Sequence, residues 1–347
     1  MTAKFRELFD AQPALIQAPM AGVQDAALAI AVDAAGAVGS LPAAMFSPEQ
    51  LDTELRKLKA AMGNRFNVNF FAHSEPAPDA DADARWREAL APYYAEFGID
   101  VANIRPGPGR APFSHAVADI VEPYRPALVS FHFGLPPDDL LARVKAWGSR
   151  ILSSATTVEE ARWLEAKGVD AVIAQGLEAG GHRGHFLSHD LTCQQGTFAL
   201  LPQIVRAVKV PVIATGGIAT AEGVAAAMAL GASAVQAGTA FMLCNEAKTS
   251  ALHRAALRQA SARHTALTNL FTGRPARGIV NRLMRELGPM GAAAPAFPLA
   301  TAALAPIRAA AEAKGSGDFS PLWSGQNIDG CRAVPAAEQV RELTRLL

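Results

Sequence analysis

One string in the sequence concentrates residue types that can do chemistry: Ala174-Gln175-Gly176-Leu177-Glu178-Ala179-Gly180-Gly181-His182-Arg183-Gly184-His185. Four glycines around His182 imply a backbone folded tightly beneath a ligand, with the imidazole projecting over it. Near neutral pH an imidazole serves as a base in one protonation state and as a hydrogen-bond donor to an anion in the other. His182, His185 and His189 also fall at i, i+3 and i+7, a spacing open to metal ligation, but the glycines disfavour a regular helix and no carboxylate partner is evident. No metal is therefore expected. His132, in Ser130-Phe131-His132-Phe133-Gly134, is a second candidate for catalysis, with a satisfied core histidine as the alternative.

Two further strings read as anion cradles. Thr215-Gly216-Gly217-Ile218-Ala219-Thr220 and Gln236-Ala237-Gly238-Thr239-Ala240 each place glycine between a short apolar run and a helical pattern. Glycine lets backbone approach a ligand closely, and open N–H groups at a helix start attract phosphate. Ala18-Pro19-Met20-Ala21-Gly22 is a turn with little side-chain bulk, suited to lie against a planar ring, and Asn67-Val68-Asn69-Phe70 sets two amides beside an aromatic.

These strings need elements to hold them in common. Eight brief, mostly apolar runs occur at 15–18, 37–40, 66–70, 128–131, 150–154, 171–174, 212–215 and 234–237, as expected of strands buried on both faces. Amphipathic segments alternate with them at 47–62, 136–147, 157–167, 197–208 and 220–230, several opening on caps such as Ser47-Pro48, Thr157 and Thr220. The pattern predicts an α/β fold, a (β/α)₈ TIM barrel, with each candidate string at a strand's C-terminal end, where barrels place catalysis. A phosphate signal after the last two strands disfavours the rival doubly wound sheet, and no G-x-G-x-x-G follows an early strand. Two stretches break the rhythm. Residues 71–127 read as helix, a Pro- and Gly-rich excursion at 105–112, and return; residues 241–319 read as a helical lid domain inserted after the eighth strand, leaving 1–240 and 320–347 as the barrel. A final helix is expected from near Pro335.

The 347 residues fit a barrel plus an insertion, and half of them are hydrophobic. Formal net charge is zero, which gives no electrostatic ground for a nucleic-acid or membrane-surface partner. Cys193, Cys244 and Cys331 lack C-x-x-C spacing and read as reduced thiols of a cytoplasmic protein. Acidic Glu7 and Asp10, without a long apolar run, predict no signal peptide, and no stretch has the length of a membrane span.

With those residues in hand, the chain resembles the class I nitronate monooxygenases, formerly called 2-nitropropane dioxygenases. The resemblance lies in Gln17–Val23, Asn67–Phe71, Val129–Gly134, Ala174–Gly184, Gly231–Phe241, Gly273–Gly278 and Leu322–Gln326. It implies an FMN-dependent barrel that oxidises alkyl nitronates with O₂ to a carbonyl compound and nitrite. It further implies that Asn69, Gln175, Gly180, Gly181, Gly216, Gly217, Gln236, Ala237, Gly238 and Thr239 hold FMN. Pro19, Met20 and Ala21 would line the flavin ring, and His182 would act over it. The family carries an aromatic–x₃–Tyr–x₃–Lys array on its lid, and the matching positions here are Phe297, Thr301 and Ala305. Loss of the phenol and the cation predicts a cavity wall without a positive charge, unless Arg308, one turn on, supplies it. Two alternatives stay open: an NAD(P)H-dependent FMN reductase of enoyl thioesters or quinones on the same barrel, and a barrel that binds a phosphorylated ligand without catalysis.

Overall fold

The structure is a computed structural model that describes residue 9, residues 11–104 and residues 110–347. Part of the excursion expected at 105–112, and the acidic Glu7 and Asp10, lie outside the described residues.

Eight parallel strands form the barrel: β1 (Leu15–Gln17), β2 (Ser40–Pro42), β3 (Asn67–Phe71), β4 (Leu128–His132), β5 (Arg150–Ala155), β6 (Ala171–Gln175), β8 (Val212–Thr215) and β9 (Ala234–Ala237). Their hydrogen-bonded order runs β1-β9-β8-β6-β5-β4-β3-β2. The ring closes where Val38 meets β1: its N–H donates to the Leu15 carbonyl and its carbonyl accepts from the Gln17 N–H, both at 2.9 Å. An open doubly wound sheet is excluded. The second run sits later than 37–40, because residue 38 makes only this isolated bridge and regular pairing with β3 starts at Ser40.

Side-chain alternation sorts the strands into layers. Leu15, Val129, Phe131, Ile151 and Val172 pack outward, in one apolar cluster with the helices. Ile16, Leu128, Leu152, Ile173, Ile213 and Ala234 fill the bottom of the interior. Two residues further along the same inward face, the type changes to polar: Ser130, Ser154, Gln175, Thr215 and Gln236. The fold thus plugs one end of the barrel with hydrocarbon and leaves hydrogen-bonding groups at the strands' C-terminal end.

The surrounding helices are α1 (Ala26–Ala34), α2 (Pro48–Met62), α4 (His115–Val121), α5 (Asp138–Ala146), α6 (Val158–Ala166), α7 (Thr197–Ala207), α8 (Ala221–Ala229) and α12 (Ala336–Thr344). Ser47 begins α2 with a capping box and Pro48 at the first turn; Thr157 and Thr220 cap α6 and α8 through their hydroxyls. The predicted last helix starts one residue after Pro335.

Beyond the strand ends, a second apolar cluster joins two separate insertions. Helix α3 (Ala80–Phe97), from the connection between β3 and β4, packs on α11 (Ala300–Ala313). Trp86 Nε1 donates to the Ala300 carbonyl at 3.0 Å and the Tyr94 hydroxyl to the Ala303 carbonyl at 2.7 Å. The helical layer is therefore wider than residues 241–319. That stretch is also not wholly helical. Alongside α9 (Ala251–Leu257) and α10 (Arg282–Glu286) it contributes strands β10 (Thr265–Thr268) and β11 (Ala276–Ile279), and β11 pairs antiparallel with the two-residue strand β7 (Gly181–His182). Among the described residues no helix is long and apolar enough to cross a membrane.

Candidate active site

A cavity of about 1380 Å³, its mouth included, opens at the C-terminal ends of the strands. Pro19, Met20, Ala21, Asn69, His132, Gln175, Gly180, Gly181, His182, Gly216, Gly217, Gln236, Gly238 and Thr239 all line it. Ala237 does not: it is 1 % exposed and its carbonyl takes the Ala18 N–H as part of the barrel ladder. Phe297 lies just behind the lining, its ring centroid 5.3 Å from that of His182. Thr301 and Ala305 are not lining residues, and Ala305 is exposed on the outer side of α11.

His182 is the fixed point. The β7–β11 ladder pairs it with Ala276, and its carbonyl accepts from Gln175 Nε2 at 3.0 Å and from His132 Nε2 at 3.1 Å. Because a carbonyl only accepts, His132 carries its proton on Nε2, and its Nδ1 accepts from the Ser154 hydroxyl at 3.0 Å. Both nitrogens of His132 are thereby committed, and burial pushes its pKa down to about 4. Its contacts tie it to the His182 backbone and to Ser154. The Gln175 amide is committed too: its Oε1 accepts the Gly184 N–H at 2.8 Å. Underneath, fully buried Arg183 donates to the carbonyls of Gly176 and Gln175 and to Gln194 Oε1.

The His182 ring shares a hydrogen bond of 2.9 Å between Nε2 and Thr272 Oγ1. With the Thr272 hydroxyl directed at the Arg274 carbonyl, 3.4 Å away, Nε2–H donates to Thr272 and Nδ1 keeps the lone pair. Burial first, then the charges of Arg110, His132 and Arg274, hold the His182 pKa well below the ordinary histidine range. The imidazole is neutral at pH 7, against a wall that is electropositive.

Arg110 is the cation that the sequence reading did not assign. It lines the cavity, and its Nη1 donates to Thr301 Oγ1 at 3.0 Å. The expectation of a wall without positive charge is thus corrected, and Arg308 is not the source: it pairs with Glu312 on the surface at 2.7 Å. Arg274 stacks on the Phe133 face, 4.0 Å from centroid to Cζ, and donates to the His185 carbonyl. Trp323, Ser324 and Gly325, for which sequence had offered only a resemblance without a role, also line the cavity, as does Asn327, which sequence had not singled out. His185 and His189 rings lie 5.4 Å apart and neither lines the cavity that His182 faces; among the described residues no three His, Cys, Asp or Glu side chains are grouped to hold a metal ion.

The glycine loops have mixed causes. Gly216 and Gly217 take φ of +121° and +69°, and a Cβ on Gly217 would sit 3.0 Å from Glu178 Cβ. Glu178 in turn clasps the start of α7 through the Thr197 N–H and hydroxyl, at 2.8 and 2.9 Å. Local packing thus demands glycine here as firmly as a ligand would. What points to a ligand is separate: the Gln236 Oε1 is buried at the cavity without a partner, and no hydrogen bond among the described residues uses the N–H of Gly217 or Gly238. A group with a polar ring edge and a terminal phosphate fits these unpaired atoms.

Comparison with known proteins decides the family. Residues 3–345 match the sequence pattern of the Nitronate monooxygenase family. The chain belongs to that family. A nitronate monooxygenase of Pseudomonas aeruginosa is 41 % identical over 352 residues, covering 100 % of this chain and 99 % of that protein. Among solved structures, nitroalkane oxidase from Streptomyces ansochromogenes superimposes with a TM-score of 0.89 at 38 % identity, covering 99 % of this chain and 97 % of the other. FabK from Thermotoga maritima, at TM-score 0.71 and 23 % identity over 99 % of this chain and 96 % of its own, shares the fold. As a member of the nitronate monooxygenase family, the chain is an oxidoreductase on a TIM barrel.

Proposed function

We infer that this enzyme oxidises alkyl nitronates with O₂ to a carbonyl compound and nitrite, using FMN held in the cavity. The observation that carries the reading is a neutral imidazole facing a cavity with Arg110 in its wall, and with Arg110 and Arg274 both close enough to lower the imidazole's pKa. Such a wall attracts an anion, and a nitronate is one. Open N–H groups at Gly217 and Gly238 suit the cofactor's phosphate, the unpaired Gln236 Oε1 suits a ring donor, and Pro19–Ala21 offers a flat surface. Asn69 Nδ2 is tied to the Ser130 carbonyl and hydroxyl, which fixes the amide that faces the site. The flavin, when bound, supplies the redox chemistry. The protein supplies binding, orientation and charge.

His182 in this setting is a weak base. The same cations that hold it neutral would stabilise a bound nitronate, so preformed anions are better substrates than the neutral nitroalkanes from which a proton must first be taken. The test is an absorbance spectrum of the purified protein, then anaerobic titration with ethyl nitronate and with NADH. Flavin reduced by the nitronate and a kcat/KM at least about tenfold higher for ethyl nitronate than for nitroethane at pH 7 is expected. A colourless protein, or flavin fully reduced by NADH and untouched by nitronate, would overturn the reading.

A further inference from the structure

The seam between β1 and β2 closes on main-chain hydrogen bonds for a single step, at Ile16 and Val38. One step further on, a parallel ladder would have the Ser40 N–H donate to the Gln17 carbonyl, and the N–H of residue 19 donate to the Ser40 carbonyl. Residue 19 is proline and has no N–H, so the ladder stops there. Two side-chain amides take its place. Gln17 Oε1 accepts the Ser40 N–H at 3.1 Å, and Gln24 Nε2 donates to the Ser40 carbonyl at 2.6 Å.

Gln24 also reaches the turn that follows β1. Its Oε1 accepts the Met20 N–H at 2.9 Å and Gln17 Nε2 at 2.7 Å, and its Nε2 lies 3.5 Å from Gln17 Oε1. Gln17 Nε2 donates its other hydrogen to the Ala18 carbonyl. Because the Met20 N–H only donates and the Ser40 carbonyl only accepts, the Gln24 amide has one orientation. Gln17 is 0 % and Gln24 4 % exposed, and the two amides use all their donors and acceptors on each other and on the main chain. Ala18, Pro19, Met20 and Ala21 line the cavity; Gln24 does not, yet it ties their turn to β2. The turn also abuts the loop after β9, where a Cβ on Gly238 would lie 3.3 Å from Ala18 Cβ and 3.5 Å from Met20 Sδ.

We propose that Gln24 is a positioning residue of the cofactor site: where Pro19 ends the ladder, its amide sets the Pro19–Met20–Ala21 turn against the planar ring of the flavin. This rests on the FMN reading above. Gln24 acts through the main chain of Met20, not by touching the cofactor. It makes no hydrogen bond to the glycine loops after β8 and β9, so its effect falls on the ring and not on the phosphate.

The test compares FMN with riboflavin, which has the same ring and no phosphate. The full chain, stripped of flavin, is titrated with each by fluorescence quenching, as wild type, Gln24→Met and Gln24→Glu. Visible circular dichroism of bound FMN and the urea midpoint are recorded for each. Loss of the hydrogen bonds that order the turn predicts that Gln24→Met weakens both ligands by the same factor, about 5- to 50-fold, and alters the circular dichroism. Burial favours the neutral acid in Gln24→Glu, which can still accept from Met20 and donate to Ser40, so that variant should lose less. A lower urea midpoint with both affinities and the FMN signal unchanged would make Gln24 a brace of the fold alone, and a loss confined to FMN would move its action to the phosphate. Either result overturns the assignment. Should Gln24→Met fail to fold, the same comparison is read from Gln24→Glu. Hydrogen exchange separates the assignment from the FMN reading. A wild type that binds neither flavin, yet whose Met20 amide exchanges at least about tenfold faster in Gln24→Met, would remove FMN and leave Gln24 as the brace of that turn; an unchanged Met20 amide would overturn the assignment itself.

Discussion

Acidification should unfold this protein well before its surface ion pairs are neutralised, because it buries several histidines in neutral form. Burial pushes His73, His132 and His253 down to about 4 and His185 to about 3, from the ordinary 6.5. His73 and His185 have no hydrogen-bond partner on either nitrogen, and they and His253 are at most 7 % exposed. In the unfolded chain these groups protonate near pH 6.5; in the folded one they stay neutral until far lower. A depressed histidine pKa therefore contributes stability that is complete above pH 6.5, is lost as pH falls from 6.5 towards 4, and is flat below about 3. Between pH 7 and pH 5 each of the four costs about 2 kcal/mol, or about 7 kcal/mol together, comparable with the whole stability of a typical domain. The assay is the urea midpoint of unfolding at half-unit steps from pH 7.5 to 5, with proton uptake on unfolding measured in parallel. About three to four protons should be taken up at pH 5. His185→Leu and His73→Leu should each reduce the uptake by about one. Uptake below one proton in the wild type, or no change in either variant, would refute the premise that these rings are dry and neutral.

Two other substitutions probe buried polar contacts, one at the His182 carbonyl and one at the Phe186–Leu187 backbone. His132→Leu removes the Nε2 donor to the His182 carbonyl, and since both ring nitrogens of His132 are committed, steady-state kcat/KM should fall by the same factor for ethyl nitronate and nitroethane; a loss confined to nitroethane would make His132 a base after all. Glu160 is 1 % exposed and accepts from Thr156 N–H and Oγ and from the N–H groups of Phe186 and Leu187, so Glu160→Gln, which turns a donor towards donors, should cost about 3–5 kcal/mol in chemical denaturation, and a loss under about 1 kcal/mol would contradict the buried geometry.

Much of this architecture is readable from short apolar runs because barrel strands are buried on both sides, so hydrophobicity persists until the C-terminal end. There Ser130, Ser154, Gln175, Thr215 and Gln236 interrupt it, and in one dimension such residues look like turn formers. Their shared inward face appears only once neighbouring strands are in register. The same limit hid β10 and β11: Thr265–Thr268 and Ala276–Ile279 have no clean alternation, and β11 exists by pairing with β10 and with the two-residue strand that follows β6. Phe297 was placed on the substrate cavity by resemblance, and its ring packs against His182 behind the lining. Ala305 was placed by the same spacing but faces outward. A positive charge, which the residues of that helix were expected to leave out, comes from Arg110, in a segment whose prolines and glycines marked an excursion without showing where it led.

The pairing of His182 with Ala276 has a consequence for how the enzyme is made. A chain emerging from the ribosome completes its eighth barrel strand at Ala237, before β11 has been synthesised. All eight strands are then present, but α12 is not, the peptide carrying His182 still lacks its antiparallel neighbour, and its ring lacks Thr272. During that interval the strands surround an unfinished centre. The contacts that fix the His182 peptide and ring are thus completed only with the last third of the chain.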